Sequence, residues 1–597
     1  MDATPRRARL FDAAWFMFWL TLSSCWCWTA ARQLGATFDE PVYIARGLDF
    51  WHTGSHRGLM VLGTMPLAID LTTLPLYVME RWQGTSIDPV ADLETVLPWA
   101  RSMTLVFWFL LLWYGRSLGR DVAGPWGGRL AVAFLACEPT LLAHASLATT
   151  DLATTACLLA FTYHFKTNRS RAWIFRIAIP GLWVAATLLS KASGLVFVPL
   201  CMLVVELERL IQLRRNTNLP NQAHSPSWRS RASATIAFLK NDCRPLCLDA
   251  MQIGVLGLVL TFVYCGSEWQ RQPSFVAWAN DLPAGHLHNA MTWTADHLRI
   301  FSNAGEGIVR QVKHNIRGHG TYLLGVVADR ALWYYFPVLL TIKLSLPLLF
   351  WPIVVLVLKP RALVSYVGFI ALAMLLFSFN CRVQIGIRLV LPLVAFLIVA
   401  AAGSVVGALR DWSARLVNGR RLAPAFCVFL VALGLGWSTL ASAAVWPEGL
   451  CYTNELWGGT ANGWLAASDS NYDWGQGLKE LARWQNDQRV PLDVWYFGSD
   501  PLLDKMPVHE IKFHLIPVAG PEDVLTRVRG HRLAVGTTLL RGSMSTVMKS
   551  GIPVPAECYW RVIHFLDGRE PIARTSTFLI YDFANEPPAS GPLTARD

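Results

Sequence analysis

Charged residues are scarce in this sequence. Of its 597 residues, 16% are Asp, Glu, Lys or Arg, whereas 53% are hydrophobic. A soluble domain is usually about 25% charged. The composition therefore excludes an ordinary soluble protein and is typical of a chain that lies largely within a membrane.

Several sequence signatures are also missing. No glycine-rich Walker or Rossmann fingerprint is present, so the sequence predicts no nucleotide site. The twelve cysteines form no CxxC pair and show no zinc spacing, so they resemble small apolar core residues. A disulfide between Cys451 and Cys558 remains an open alternative. The net charge of +11 suits a chain that contacts anionic lipid and requires no nucleic acid partner.

Long apolar runs recur along the chain and stop near residue 446. A helix needs roughly 20 mostly apolar residues to cross a bilayer. On that basis we predict a polytopic α-helical membrane protein with about eleven transmembrane helices. The predicted spans are 11–31, 98–115, 127–146, 152–166, 173–189, 192–206, 250–267, 332–357, 362–380, 388–409 and 425–445.

The positions of Lys and Arg predict the orientation, because basic loops stay on the cytoplasmic side. An odd number of spans puts the N-terminus inside and the C-terminal segment outside. The basic residues that this topology places inside are Arg6, Arg7, Arg9, Arg116, Arg120, Arg129, Lys166, Arg169, Arg171, those from Arg209 to Arg244, Lys359, Arg361, Arg410, Arg415, Arg420 and Arg421.

Three long segments face outward in this topology: 32–97, 268–331 and 446–597. The first two are outer loops of a predicted membrane domain that covers 1–445. The third predicts an extracytoplasmic α/β domain, because runs of alternating hydrophobicity are typical of strands. Its predicted strands are 492–498, 511–518, 532–540, 560–566 and 577–583, and its predicted helices are 475–485 and 521–528.

Carboxylates lie at the predicted outer ends of several spans. Asp39 and Glu40 are adjacent just beyond the first apolar run, and Asp151 and Glu138 flank a short outer turn. A charge near hydrocarbon is costly unless it has a partner or faces a cavity. The simpler interpretation is that Asp39 and Asp151 are helix N-caps.

Cations lie at the same predicted depth. Lys191 is at the outer tip of a hairpin of two spans, Lys343 lies in an aromatic-rich span, and Arg382 and Arg388 flank a short outer turn. Such side chains can simply extend to lipid headgroups. Together with the carboxylates they suit another task, because a cation can neutralise a departing lipid phosphate while Asp or Glu accepts a proton from an incoming hydroxyl.

With these residues in view, the sequence resembles a known family. It is similar over nearly its whole length to the GT-C fold glycosyltransferases that use polyprenyl-phosphate sugars, especially bacterial members of glycosyltransferase family 39. These are related to the protein O-mannosyltransferases and the lipid A aminoarabinose transferase. The motifs that carry the resemblance are Phe38-Asp39-Glu40, Glu138-Pro139-Thr140 through His144, Thr149-Thr150-Asp151, Leu189-Ser190-Lys191, Gly318-His319-Gly320, Trp333 through Lys343, Ile387-Arg388-Leu389 and Asp469 through Gln476.

The resemblance implies an inverting enzyme of the plasma (inner) membrane. Asp39 would be the base, with Glu40 close by and Asp151 near one of the sugars. Lys191, His319 and Arg388 would bind the carrier phosphate, and Glu138 and Lys343 are further substrate-binding candidates. The donor would be a polyprenyl-phosphate sugar and the acceptor a protein, lipid or envelope glycan. No cofactor or essential metal is expected, although the outer carboxylates could bind a divalent cation.

Two other classes of function remain open. Buried charges among many spans are also expected of a transporter or flippase, but the sequence has no internal repeat. A non-catalytic protein that keeps the fold is the third hypothesis. Met65 and Leu389 favour it, because they occupy positions where family members commonly have His.

Overall fold

Helices make up most of the fold. The computed structural model describes residues 5–217, 244–415, 422–542 and 554–586. Parts of the predicted inner basic segments, 218–243 and 416–421, lie outside the described residues. The α-helices are Pro5–Gln33, Glu40–Thr53, Arg57–Met60, Leu67–Gln83, Leu93–Ser102, Thr104–Cys137, Pro139–Ala145, Asp151–Thr167, Ile179–Ser190, Gly194–Thr217, Arg244–Cys265, Pro273–Asn280, His286–His297, Ser302–Arg317, Tyr335–Lys343, Leu346–Leu358, Tyr366–Ser378, Leu391–Arg415, Leu422–Val445, Gly459–Ala466, Leu478–Asn486, Pro521–Val528, Thr537–Arg541 and Ala556–Asp567.

Several helical segments can cross a membrane. Two shorter apolar helical segments are Ile174–Ser190 and Tyr366–Ser378. The helices Tyr335–Lys343 and Leu346–Leu358 are separated by a bend of 111°, and they are an additional candidate if together they form one span. The count of about eleven spans therefore stays a prediction. Among the described residues, five segments pass on length and hydropathy: Arg6–Gln33, Leu93–Cys137, Pro245–Cys265, Ile387–Arg410 and Phe426–Val445.

The longest of these segments is a hairpin rather than one rod. Its backbone leaves helical geometry at Ala123 and Gly124, where Gly124 has a φ of +74°. The chain then folds back on itself, because a Cβ on Gly119 would lie 2.7 Å from the carbonyl oxygen of Gly127. The two legs correspond to the two spans predicted around 98–115 and 127–146.

The C-terminal segment, which follows residue 445, contains a five-stranded mixed sheet. Its order is β4-β3-β5-β7-β6, with β3 parallel to β4 and β5, and β7 antiparallel to β5 and β6. Alternate residues of β5 enter two separate clusters, Leu533 and Val535 on one face and Ala534 on the other, so both faces are covered. The strands are β3 Leu492–Trp495, β4 His509–Glu510, β5 Arg532–Gly536, β6 Ala573–Arg574 and β7 Phe578–Asp582; β1 Thr321–Leu323 and β2 Val326–Ala328 form a separate hairpin.

Two strand predictions in this segment were wrong. Residues 560–566 belong to the helix Ala556–Asp567, whose buried side chains recur at helical spacing from Cys558 to Leu566. A short apolar run fits either period, and here the helical one packs against the sheet. No residue of the predicted strand 511–518 is in a strand, because the strand that pairs with β3 is His509–Glu510 and a 3₁₀ turn follows at Phe513–Leu515.

The C-terminal segment is hydrogen-bonded to the loop that follows the helix Pro5–Gln33. The backbone N–H of Gly35 donates to the carbonyl of Gln476, and that of Phe38 donates to the carbonyl of Trp474, both at 2.8 Å. Cys451 and Cys558 are both free thiols, so they form no disulfide. The predicted division at residue 445 coincides with the end of the helix Leu422–Val445, and it stays a prediction.

Candidate active site

A cavity of about 540 Å³ opens where the segments 32–97 and 268–331 meet the ends of other helices. One part of its wall is charged and carries Asp39, Lys191 and Arg388. The larger part is apolar, and includes Leu62, Val196, Phe197, Phe377 and Leu389. The cavity therefore combines an ionic end with a hydrophobic wall.

Asp39 precedes the helix Glu40–Thr53. Within the described part of the chain its side chain caps no backbone N–H, so the simpler interpretation as an N-cap does not hold. The carboxylate instead pairs with Arg388, with 3.0 Å between Oδ2 and Nη1. The Tyr43 hydroxyl, one turn along the helix, lies 3.5 Å from the same oxygen as a donor. The Asp39 side chain is 26% exposed, so it is accessible from the cavity.

Arg388 lies in the 3₁₀ turn Ile387–Val390, immediately before the helix Leu391–Arg415. Its Nη1 is also 3.9 Å from Oδ2 of Asp151. The guanidinium lies 3.9 Å from the centroid of the Trp474 ring, which is a close cation–π geometry. The buried Arg388 thus faces the carboxylates of Asp39 and Asp151. It also stacks on the indole of Trp474, which belongs to the C-terminal segment.

Asp151 and Lys191 form the second ion pair of the site. Asp151 is the first residue of the helix Asp151–Thr167, and Lys191 lies between the helices Ile179–Ser190 and Gly194–Thr217. Nζ of Lys191 is 2.5 Å from Oδ1 of Asp151. Oδ2 of Asp151 is buried and has no hydrogen-bond donor among the described residues. Lys191 is 20% exposed and Asp151 is 1% exposed, so the lysine is the member that reaches the cavity.

Glu40 points away from the cavity, despite being next to Asp39 in the sequence. It is fully buried and forms a two-point ion pair with Arg101, at 2.6 and 2.8 Å. It also accepts the backbone N–H groups of Thr37 and Ala148, each at 2.8 Å. Burial by itself raises the pKa of Glu40, but Arg101 and these donors outweigh it and hold the pKa below its usual value. The geometry fits a structural role rather than the predicted catalytic one.

Glu138 and Lys343 are likewise buried, and neither is among the described residues that line the cavity. Oε2 of Glu138 accepts the Ser345 hydroxyl at 2.7 Å. The Lys343 ammonium donates to the carbonyls of Leu450, Tyr452 and Asn471. These hydrogen bonds connect helix ends to one another and to the C-terminal segment. They fit a structural role for Glu138 and Lys343 rather than the predicted role in substrate binding.

His319 lies beside the cavity and not in its wall. Its ring is 5.8 Å from that of His314, which does line the cavity. Burial, and then the neighbouring His319 and Arg317, lower the pKa of His314 below its usual value. The lowered pKa favours the neutral imidazole, which can both donate and accept a hydrogen bond.

Asp469 has an unusual backbone. It is buried, and its φ of +58° is in the left-handed region, which is uncommon for residues other than glycine. Burial raises the pKa of Asp469 to about 6, although Arg388 and His319 oppose the rise. Such strained positions persist where the surrounding structure fixes them, and here the surrounding structure includes the charged end of the cavity.

Sequence reasoning missed three contributors to the site. Tyr43, Trp474 and His314 all lie near the charged end of the cavity or in its wall. Tyr43 could have been found, because it is four residues from Asp39 and residues four apart share one face of a helix. The segment from Asp469 to Gln476 was singled out, but hydropathy carries no information about which span it contacts.

No metal site stands out in the described ranges. Among these residues, no group of three or more His, Cys, Asp or Glu side chains is arranged to hold a metal ion. Metal dependence therefore stays a prediction.

The chain is similar to several solved structures. No family model and no curated protein matches the chain. ArnT from Cupriavidus metallidurans bound to undecaprenyl phosphate is 12% identical, with 95% of this chain and 98% of that chain covered and a TM-score of 0.42. The oligosaccharyltransferase AglB from Archaeoglobus fulgidus, in complex with an inhibitory peptide and a dolichol-phosphate, is 12% identical, with 89% and 70% covered and a TM-score of 0.42.

Proposed function

We propose that the protein is an integral-membrane inverting glycosyltransferase that moves a sugar from a polyprenyl-phosphate donor to a hydroxyl acceptor on the outer side of the membrane. The observation that carries the proposal is the charged end of the cavity, where Asp39, Lys191 and Arg388 meet an apolar wall. A lipid-phosphate sugar has the same two-part chemistry.

The donor phosphate is assigned to Lys191 and Arg388. A phosphate that leaves with the electron pair of the broken bond gains negative charge, and fixed cations stabilise that charge in a cavity with little water. Arg388 can bind phosphate oxygens with two parallel N–H groups, whereas Lys191 acts as a point charge. Asp151 holds Lys191 in position through their 2.5 Å contact.

Asp39 is assigned as the general base. Its carboxylate takes the proton of the acceptor hydroxyl, the oxygen forms a bond to the anomeric carbon, and the bond from that carbon to the phosphate oxygen breaks. Attack on the face opposite the leaving group inverts the anomeric centre. The Tyr43 hydroxyl beside Oδ2 orients the carboxylate.

The apolar wall is assigned to the polyprenyl chain. Val196, Phe197, Phe377 and Leu389 lie on the same cavity as the charged residues, so the first isoprene units can leave the phosphate along a hydrophobic surface. Burial of such surface contributes about 25 cal/mol per Å².

The remaining predicted site residues receive positioning roles. Glu40 with Arg101 holds the backbone that carries Asp39, because Arg101 also donates to the carbonyls of Ala31, Leu34 and Gly35. Glu138 and Lys343 hold the helix ends, and His319 lies beside His314. Localisation in the plasma membrane with an outer C-terminal domain, and the absence of a cofactor, complete the proposal.

The test is sugar transfer by purified protein reconstituted in lipid. Undecaprenyl- and dolichyl-phosphate monosaccharides, radiolabelled in the sugar, are offered together with an envelope extract as the source of acceptor. Transfer or release of label that is lost in Asp39→Asn supports the proposal and names the donor. A folded wild-type protein that turns over none of the donors would overturn it and favour lipid translocation.

A further inference from the structure

A second cavity, of about 440 Å³, lies at the other end of the helix bundle. Arg410 lines it, about 22 residues or roughly 33 Å along the chain from Arg388 at the helical rise of 1.5 Å per residue. Lys166 also lines it, at the far end of the helix that begins at Asp151. This inner cavity is therefore separated from the candidate active site by the length of the spans.

Three cations and two carboxylates line the inner cavity: Lys166, Arg361 and Arg410, with Asp121 and Glu208. Lys166 pairs with Glu208 and lies 4.7 Å from the centroid of the Tyr366 ring. The Tyr366 hydroxyl donates to Asp121 at 2.9 Å. Both carboxylates thus have protein partners on the wall, and among the described lining residues the cations outnumber the carboxylates by three to two.

The N-terminus of the helix Tyr366–Ser378 adds to this field. Ser365 and Tyr366 line the cavity, and the hydroxyl of Ser365 caps the helix by accepting from the N–H of Gly368. The free N–H groups of a first helical turn carry partial positive charge and favour anions. Arg361, in the preceding 3₁₀ turn Pro360–Leu363, is exposed on the same rim.

An apolar stripe runs away from the cavity along the same helix. Phe369, Leu372 and Leu376 are 45%, 48% and 53% exposed, and their spacing places them on one face. Val364, at the rim, is 63% exposed. A ligand that carried both a phosphate and acyl chains could therefore place the phosphate in the cavity and the chains along the stripe.

We infer that the inner cavity binds the phosphate of an anionic phospholipid, with Arg361 and Arg410 as its cationic contacts and the stripe from Phe369 to Leu376 as the bed for an acyl chain. Gly407, which lines the cavity, has no side chain to fill it. The site is independent of the proposed glycosyl transfer. In the proposed topology it takes a lipid of the inner leaflet, where anionic headgroups and basic pockets meet.

Native mass spectrometry of the full-length protein in non-ionic detergent, with added phosphatidylglycerol, measures the binding. The double variant Arg361→Gln/Arg410→Gln should retain about tenfold less phosphatidylglycerol than the wild type, because each cation near an anionic headgroup contributes substantially to affinity. Gly407→Leu should cause a similar loss while it keeps every charge. Its new side chain enters the cavity, since a Cβ there has only Ala362 at 3.7 Å.

The matched control is Arg6→Gln/Arg7→Gln, which removes two exposed cations from the same predicted side of the membrane and should change retention by less than about twofold. Elution position and melting temperature verify that each variant is folded. Equal retention in all four proteins would overturn the site. If inorganic phosphate displaced bound phosphatidylglycerol as effectively as added phosphatidylglycerol does, the assignment of the site to a lipid would be overturned. Retention of phosphatidylcholine equal to that of phosphatidylglycerol would also overturn it.

Discussion

Asp39 and Arg388 are 349 positions apart in the chain, and their side chains form an ion pair at 3.0 Å. The pair connects the residue before the helix Glu40–Thr53 to the turn before the helix Leu391–Arg415. Trp474, from the C-terminal segment, stacks on the same guanidinium. The charged end of the cavity therefore depends on three distant parts of the sequence.

Replacing Asp39 with Asn should abolish transfer with little effect on donor binding. Loss of a general base typically lowers turnover by about 10²- to 10⁴-fold, and Asn keeps the size of the side chain. Turnover and the affinity for undecaprenyl phosphate are measured on the same preparation. Asp49→Asn is the control, because that carboxylate is exposed on the same helix and pairs with Arg46. Near-normal turnover of Asp39→Asn would remove Asp39 as the base.

Replacing Lys191 with Gln should weaken donor binding. Hydrogen bonds to charged groups contribute about 1.5–3 kcal/mol, so we expect undecaprenyl phosphate to bind roughly tenfold or more weakly. Competition against a labelled lipid-phosphate sugar measures the change. Lys512→Gln, at an exposed pair with Glu510 on the outer domain, should leave affinity unchanged. Unaltered affinity in Lys191→Gln would assign Lys191 to the protein scaffold.

Local periodicity predicted much of the fold. The helix Pro521–Val528 has the predicted bounds, and the predicted helix 475–485 is observed as Leu478–Asn486. These segments have one apolar face, so their own sequence determines their conformation. The run at 560–566 is too short to distinguish a helix from a strand, and packing against β5 and β7 decided it.

The site was predictable only in part. Hydropathy predicts that Asp39, Asp151, Lys191 and Arg388 lie at one depth in the membrane. The structure links these four side chains through ion pairs, and their depth stays a prediction. Hydropathy does not show which way a side chain points. Glu40 is next to Asp39 in the sequence but pairs with Arg101. The two residues are 61 positions apart, and no pattern in the sequence indicated that they would meet.

Removing Arg101 should destabilise the protein strongly. Arg101→Gln leaves Glu40 as a buried charge without its cation, a change that typically costs about 3–5 kcal/mol. The double variant Glu40→Gln/Arg101→Gln should recover part of this loss. Arg46→Gln, which breaks an exposed ion pair, should cost no more than about 0.5 kcal/mol. Denaturation in detergent measures the free energy of unfolding of all four proteins. If Arg101→Gln were as stable as the wild type, the structural role of the pair would be contradicted.

Glu448 should make stability depend on pH. Burial, and then Glu480, raise the pKa of Glu448 to about 8. Because the folded-state pKa lies above the unfolded value of 4.5, the unfolded state loses its proton first, so the wild type loses stability as pH rises from about 4.5 to about 8. Glu448→Gln removes this ionisation. The difference between its melting temperature in detergent and that of the wild type should grow in favour of the variant from pH 5 to pH 8, whereas the exposed control Glu455→Gln should follow the wild type throughout. A constant difference between Glu448→Gln and the wild type over this range would show that Glu448 ionises normally in the folded protein.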